Sequence, residues 1–227
     1  MKVLVFGATG AAGGSVLRAC LDAPIVTEAL AIVRRPLERK HAKLRTFIHG
    51  DFLDYGPVAE AFDGIDACLW CLGISVRQVS GEAEYRTITH DYAMAAARML
   101  RERSPGAAFH FISGQGTRLD SRMMWARVKA ETERDLAELT GAVCWRPAFI
   151  DGETSLNAPR LYQALRPAMR LLRGLRSLYV AGEDIGKAMV QATLEKQRGR
   201  TIENPEIRDI AARAQLGGMT LSPSHFR

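Results

Sequence analysis

Lys2-Val3-Leu4-Val5-Phe6-Gly7-Ala8-Thr9-Gly10-Ala11-Ala12-Gly13 is the stretch on which the reading of this chain turns. Its apolar run stops at Gly7 and reads as a strand, not as the core of a signal peptide. Three glycines follow at the spacing G-x-x-G-x-x-G, and a helical pattern continues from about Ala12 to Asp22. Alone, such a spacing is weak; between a strand and a helix it has the context of a dinucleotide-binding turn. Gly7 permits the sharp turn, Gly10 lets backbone approach a pyrophosphate, and Gly13 lets the helix pack on the strand. The helix N-terminus adds free N–H groups and a partial positive charge. Gly7, Thr9, Gly10, Ala11, Ala12 and Gly13 are therefore expected to form the cofactor-binding turn. The competing reading is a turn that uses glycine for steric reasons alone.

Downstream the strand and helix signals alternate. Strands are expected at Leu30–Val33, Arg45–His49, Ala67–Leu72, Ala108–Ser113 and Val143–Pro147. Helices are expected at Tyr55–Phe62, Glu82–Glu102, Met123–Leu139 and Glu183–Glu195, with a last short strand at Thr201–Asn204. Strands separated by helices imply right-handed crossovers and a doubly wound parallel sheet with helices on both faces, a Rossmann α/β fold. At 227 residues the chain reads as one domain, 1–227, with residues 151–182 as a small substrate-covering lobe.

Cofactor choice is read at the end of the second strand. Arg34-Arg35 stands there with no acid before Glu38, and guanidinium groups can hold a 2′-phosphate that a carboxylate would repel. NADP(H) is thus expected in preference to NAD(H), unless both arginines are simply exposed charges. Asp51-Phe52 after the third strand and Cys71-Leu72-Gly73 after the fourth lie at carboxyl ends of strands, where ligands bind in open α/β sheets.

Other classes are disfavoured. No apolar stretch approaches the roughly 18 residues of a membrane span, and the four cysteines form no disulfide framework. Cys68 and Cys71, three apart on a strand, face opposite ways, so no metal site is expected. From these features a cytoplasmic protein is expected. The net charge is +6, and five arginines (Arg160, Arg166, Arg170, Arg173, Arg176) stand without an acid between Ala158 and Arg176. The segment suits a solvated helix face better than a membrane or nucleic-acid contact, because Leu161, Leu165, Met169 and Leu172 keep core spacing.

Gly7–Gly13, Cys71-Leu72-Gly73, His110-Phe111-Ile112-Ser113, Lys129, Trp145-Arg146-Pro147 and the tail Ile202–Ile207 resemble the atypical short-chain dehydrogenases. More narrowly they resemble the NAD(P)H-binding family that includes the human Tat-interacting oxidoreductase-like protein. The resemblance runs from Met1 to about Ala211. It implies a Ser, Tyr and Lys acting together on a small-molecule substrate, in a monomer or homodimer. Ser113 matches the family Ser and Lys129 the family Lys, but Trp125 occupies the Tyr position. An indole N–H donates a hydrogen bond and exchanges no proton near neutral pH. Either the chain binds a dinucleotide with little catalysis, as a regulatory protein that meets a partner, or another group supplies the proton, with Tyr85, Tyr92, Tyr162 and Asp120 as candidates.

Overall fold

The computed structural model describes residues 1–152 and 171–219. Strand β1 (Lys2–Phe6) lies at the centre of a sheet because both its faces are apolar. Val3 and Val5 enter one core and Leu4 and Phe6 the other, the alternation a strand imposes. The remaining strands are β2 (Glu28–Val33), β3 (Leu44–Ile48), β4 (Ala67–Trp70), β5 (Ala108–Ile112), β6 (Val143–Arg146) and β9 (Thr201–Glu203). They pair in parallel in the order β3-β2-β1-β4-β5-β6-β9, so the chain reverses its direction of travel across the sheet between β1 and β4. That reversal opens a crevice at the carboxyl ends of the strands.

One face is covered by α1 (Ala11–Asp22), α5 (Gly182–Leu194) and α6 (Asn204–Met219). The other is covered by a 3-10 turn at Gly56–Phe62 and by α2 (Glu82–Arg86), α3 (Tyr92–Arg103) and α4 (Met124–Thr140). On the first face α1 and α5 approach closely at small residues: a Cβ on Gly186 would stand 2.6 Å from the Ala19 Cβ, and one on Gly182 2.6 Å from Ser15. Cys68 joins the second core while Cys71 packs against the first, so the two thiols lie on opposite sides of the sheet.

Several local expectations change. Tyr55–Phe62 is a 3-10 turn starting at Gly56-Pro57, not an α-helix. The long helix over 82–102 is interrupted by a π-helical turn at Thr87–Asp91, which opens with three β-branched residues, Thr87-Ile88-Thr89, that crowd the preceding α-turn. Two three-residue strands, β7 (Phe149–Asp151) and β8 (Tyr179–Ala181), form a separate parallel pair in what reads as loop. Helix α6 begins at Asn204-Pro205-Glu206, a start signal of the usual kind. Of the segment 151–182, residues 153–170 lie outside the described residues, and Arg160, Tyr162, Arg166 and Arg170 with them. Arg173 donates to the Tyr179 hydroxyl (3.4 Å), and Arg176 pairs with Asp209 on α6.

Buried polar groups tie these layers together. The Asn204 side chain, fully buried, accepts from the Ala148 N–H (2.8 Å) and donates to the carbonyls of Arg176 (2.6 Å) and Tyr179 (3.1 Å). It thereby fixes the β6–β7 link and β8 to the end of the main sheet. Arg146 grips the Glu133 carboxylate of α4 through two nitrogens (2.6 and 3.0 Å) and reaches Glu203 of β9 (3.1 Å). His110, with no exposed surface, accepts from the Trp145 indole N–H (3.1 Å) and contacts the Thr193 hydroxyl through Nε2 (2.9 Å).

Burial, reinforced by the nearby Arg198, lowers the His110 imidazole to about 3. A histidine in the unfolded chain titrates near 6.5. Between those values the unfolded state binds a proton that the folded state refuses, so stability falls as the pH drops through this window. The slope from this group is about 1.4 kcal/mol per pH unit. Between pH 7 and 5, the wild-type chain should lose roughly 2 kcal/mol more than His110→Asn in urea unfolding. Equal losses in both proteins would assign the acid sensitivity elsewhere.

Candidate functional site

The turn after β1 is built by steric exclusion. Gly7 has φ +73°, and a Cβ there would stand 2.6 Å from the Cys71 carbonyl oxygen. A Cβ on Gly13 would stand 2.1 Å from the Gly7 carbonyl oxygen, so only glycine lets α1 sit this close to the turn. Gly10 differs. A Cβ there would meet only the Gly7 oxygen, at 3.3 Å, so the protein's own packing scarcely demands glycine, and the space it leaves opens on the cleft. Gly10 caps α1 without any side-chain hydrogen bond, and the first turn holds no acid. The first N–H groups of α1 are thus left for an anion.

Around this turn lies a cleft of about 780 Å³, a size typical of cofactor sites, which run from about 300 to 1,000 Å³. Gly7, Thr9, Gly10, Ala11 and Ala12 line one side, and Arg34, Arg35 and Phe52 another. Cys71, Leu72 and Gly73 close it from β4. Arg34 and Arg35 are exposed, and among the described residues no carboxylate pairs with either. One expected residue stands apart: Asp51 turns its carboxylate to the Leu53 N–H (2.9 Å) instead of toward the cleft. Gly13 lies outside the lining and has the packing role expected of it.

The lining also contains residues that the sequence did not suggest: Ile74, Ser75 and Gln78 after β4, and Ala148, Phe149 and Ile150 around the start of β7. Ser75 and Gln78 form a reciprocal cap, with the Gln78 side chain accepting from the Ser75 N–H at 3.3 Å. That S-x-x-Q spacing was the available signal. A Cβ on Gly152 would stand 2.2 Å from the Ala11 carbonyl, so the end of β7 rests directly on the glycine turn.

A second hollow of about 430 Å³ adjoins the first through Ala148 and Phe149, and is completed by Gly114, Gln115, Trp125, Pro147 and Leu178. The six-membered ring of Trp125 lies near Gly114 and Gly116: Cβ atoms there would stand 3.7 and 3.9 Å from it. Lys129, one helical turn further on, donates to the Ser113 carbonyl (2.5 Å) and the Ile112 carbonyl (3.4 Å). Burial lowers its ammonium to about 8, with Glu133 opposing the shift. Ser113 and Lys129 are therefore brought together, but through the Ser113 backbone. The Ser113 hydroxyl is buried against Thr117 (3.1 Å) and lines neither hollow; Gln115, two residues on, does.

No replacement proton donor reaches either hollow among the described candidates. Tyr85 is buried, Tyr92 packs against Phe52 with ring centroids 5.6 Å apart, and Asp120 pairs with Arg118 (3.0 Å).

A parallel sheet with a glycine turn, an uncapped helix and a cleft at the strand reversal defines a Rossmann-type nucleotide-binding protein. Residues 3–117 match the NAD dependent epimerase/dehydratase family, and the chain belongs to it; its members bind NAD(P). The chain is 25% identical over 217 residues to Protein FMP52, mitochondrial, of Eremothecium gossypii, covering 91% of this chain and 96% of the relative. It is 26% identical over 143 residues to Protein HTATIP2 of Rattus norvegicus, covering 61% and 57%. In fold it is similar to DesIV, a dTDP-glucose 4,6-dehydratase from Streptomyces venezuelae solved with NAD and TYD bound. That likeness has a TM-score of 0.68 at 17% identity and covers 96% of this chain and 81% of the other.

The expectation of a cytoplasmic protein is corrected by these relatives, since the fungal proteins are named mitochondrial. Unpaired cysteines argue only against secretion, which does not distinguish among reducing compartments. No described helix is long and apolar enough to cross a membrane.

Gly10→Val should leave the fold within about 1 kcal/mol of wild type, because extended backbone (φ −87°, ψ 165°) accommodates valine. Its isopropyl group would fill the floor of the cleft. Calorimetric titration with NADPH should show at least a tenfold loss of affinity; unchanged binding would remove the cleft from consideration.

Proposed function

We propose that this protein is an NADP(H)-dependent oxidoreductase acting on a small carbonyl or hydroxyl compound. Three elements support the reading: the uncapped start of α1, the open space above Gly10, and the pair Arg34-Arg35. The last carries the cofactor preference. Two guanidinium groups at the end of β2, with no described acidic partner, offer a fork for the 2′-phosphate that distinguishes NADPH from NADH.

In this reading the N–H groups of Ala11 and Ala12 and the Gly10 backbone hold the pyrophosphate. Phe52 supplies an apolar wall for the adenine, and Leu72-Gly73 and Ile74 flank the dinucleotide from β4. The bound nicotinamide supplies hydride transfer. Lys129, held at the end of β5 and lowered by burial, would give up its backbone contacts to bind a ribose hydroxyl.

A second reading is favoured by one observation. With Trp125 at the position of the family's tyrosine and the Ser113 hydroxyl turned to Thr117, neither of these two positions presents a hydroxyl to the hollow to pass a proton. The chain would then bind a dinucleotide and present its state to a protein partner.

Calorimetric titration separates these ideas. NADPH should bind at least tenfold more tightly than NADH, about 1.4 kcal/mol or more. The double variant Arg34→Asp with Arg35→Ser should abolish or reverse that preference; equal affinities in the wild-type chain would refute it. For catalysis, Trp125→Tyr should raise carbonyl-dependent NADPH oxidation by about 10²-fold or more, the usual worth of a positioned general acid. An unchanged rate in a folded variant would mean that proton supply is not what limits the protein.

A further inference from the structure

The second hollow carries a statement about its occupant. It shares Ala148 and Phe149 with the dinucleotide cleft, so whatever fills it borders the cofactor site. Its described walls are the half-buried Trp125 and Phe149 with Pro147 and Leu178, and none of its described lining side chains is charged. A phosphate or carboxylate placed there would lose hydration without meeting, among the described lining residues, a cation or a helix N-terminus. A flat apolar ring, in contrast, would gain contact with two aromatic side chains.

One polar handle remains. The Gln115 backbone N–H is committed to the Pro147 carbonyl (3.0 Å), and its side-chain Nε2 donates to the Ser177 carbonyl (3.2 Å). A primary amide has two hydrogens, so one hydrogen is left to meet an acceptor. The Ser113 hydroxyl, sealed against Thr117, has no such freedom.

We propose that this hollow takes an uncharged aromatic carbonyl compound, with its ring against Trp125 and Phe149 and its carbonyl oxygen on the free amide hydrogen of Gln115. As the substrate of the protein, that compound rests on the oxidoreductase reading above; as a ligand of the hollow, it does not. Gln115 rather than Ser113 is then the polar residue that selects the carbonyl, and the described lining gives nucleotide sugars and charged keto acids no cation to bind.

Equilibrium dialysis of 2-acetylnaphthalene tests the inference, using protein saturated with NADP⁺ so that no turnover occurs. The ketone should bind, and pyruvate should not compete. Leu178→Glu puts a charge on a wall residue already 42% exposed, so the fold should tolerate it; ketone affinity should fall at least tenfold. Gln115→Leu should lower affinity about three- to tenfold, the worth of one hydrogen bond. In both variants NADP⁺ affinity should stay within about twofold, since neither residue lines the dinucleotide cleft. Ketone affinity that is unchanged in Leu178→Glu, or pyruvate binding as tightly as the ketone, would overturn the proposal. A chain that binds no dinucleotide but holds the ketone with these sensitivities would support the occupant while defeating the oxidoreductase reading.

Discussion

The Gly7 carbonyl oxygen occupies the place a Cβ on residue 13 would need, and the working end of the molecule depends on that contact. Because β1 is central, with β2 and β4 paired on either side of it, the start of α1 is drawn down onto the reversal point of the sheet. A larger residue at 13 would push the helix away, and its N–H groups would no longer border the cleft. The same crowding recurs outward: Gly152 rests on Ala11, and Gly182 and Gly186 meet Ser15 and Ala19. The glycine turn is therefore clamped from both ends of α1, and the residues that clamp it lie more than a hundred positions away.

Beside that clamp, the cleft and the hollow that adjoins it differ in chemistry. At one, an uncapped helix start and two exposed arginines favour anions. At the other, Trp125, Phe149 and Leu178 present apolar surface around a single amide. Asn204 connects the two by holding Ala148 and Tyr179 in place through buried hydrogen bonds. A buried amide with all its partners satisfied is worth keeping, because an unsatisfied one costs about 1–3 kcal/mol. The small β7–β8 pair can therefore be short and still fix one wall of both hollows.

The replacement at Trp125 gains meaning from its surroundings. Ser113 has withdrawn its hydroxyl into the protein, and Lys129 spends its ammonium on two carbonyls of the β5 end. Two of the three positions that the family resemblance groups as one proton-handling unit are thus bound to the protein itself. Trp125 remains as a wall, with Gln115 beside it in the same hollow.

From its amino acids alone, this chain declares the strand–turn–helix at Gly7–Gly13, the alternating strands and helices, the opposed faces of Cys68 and Cys71, and the basic pair after β2. These are local or periodic properties, encoded in residue spacing and in what glycine alone permits. Tertiary structure decided the rest. Whether Ser113 faces a ligand depends on Thr117; whether Asp51 reaches the cleft depends on a turn that binds Leu53; and Phe149, Gln115 and Leu178 become neighbours only when β5, β7 and the segment before β8 are packed together. A cleft is the space between distant segments, and spacing along one segment carries no record of it.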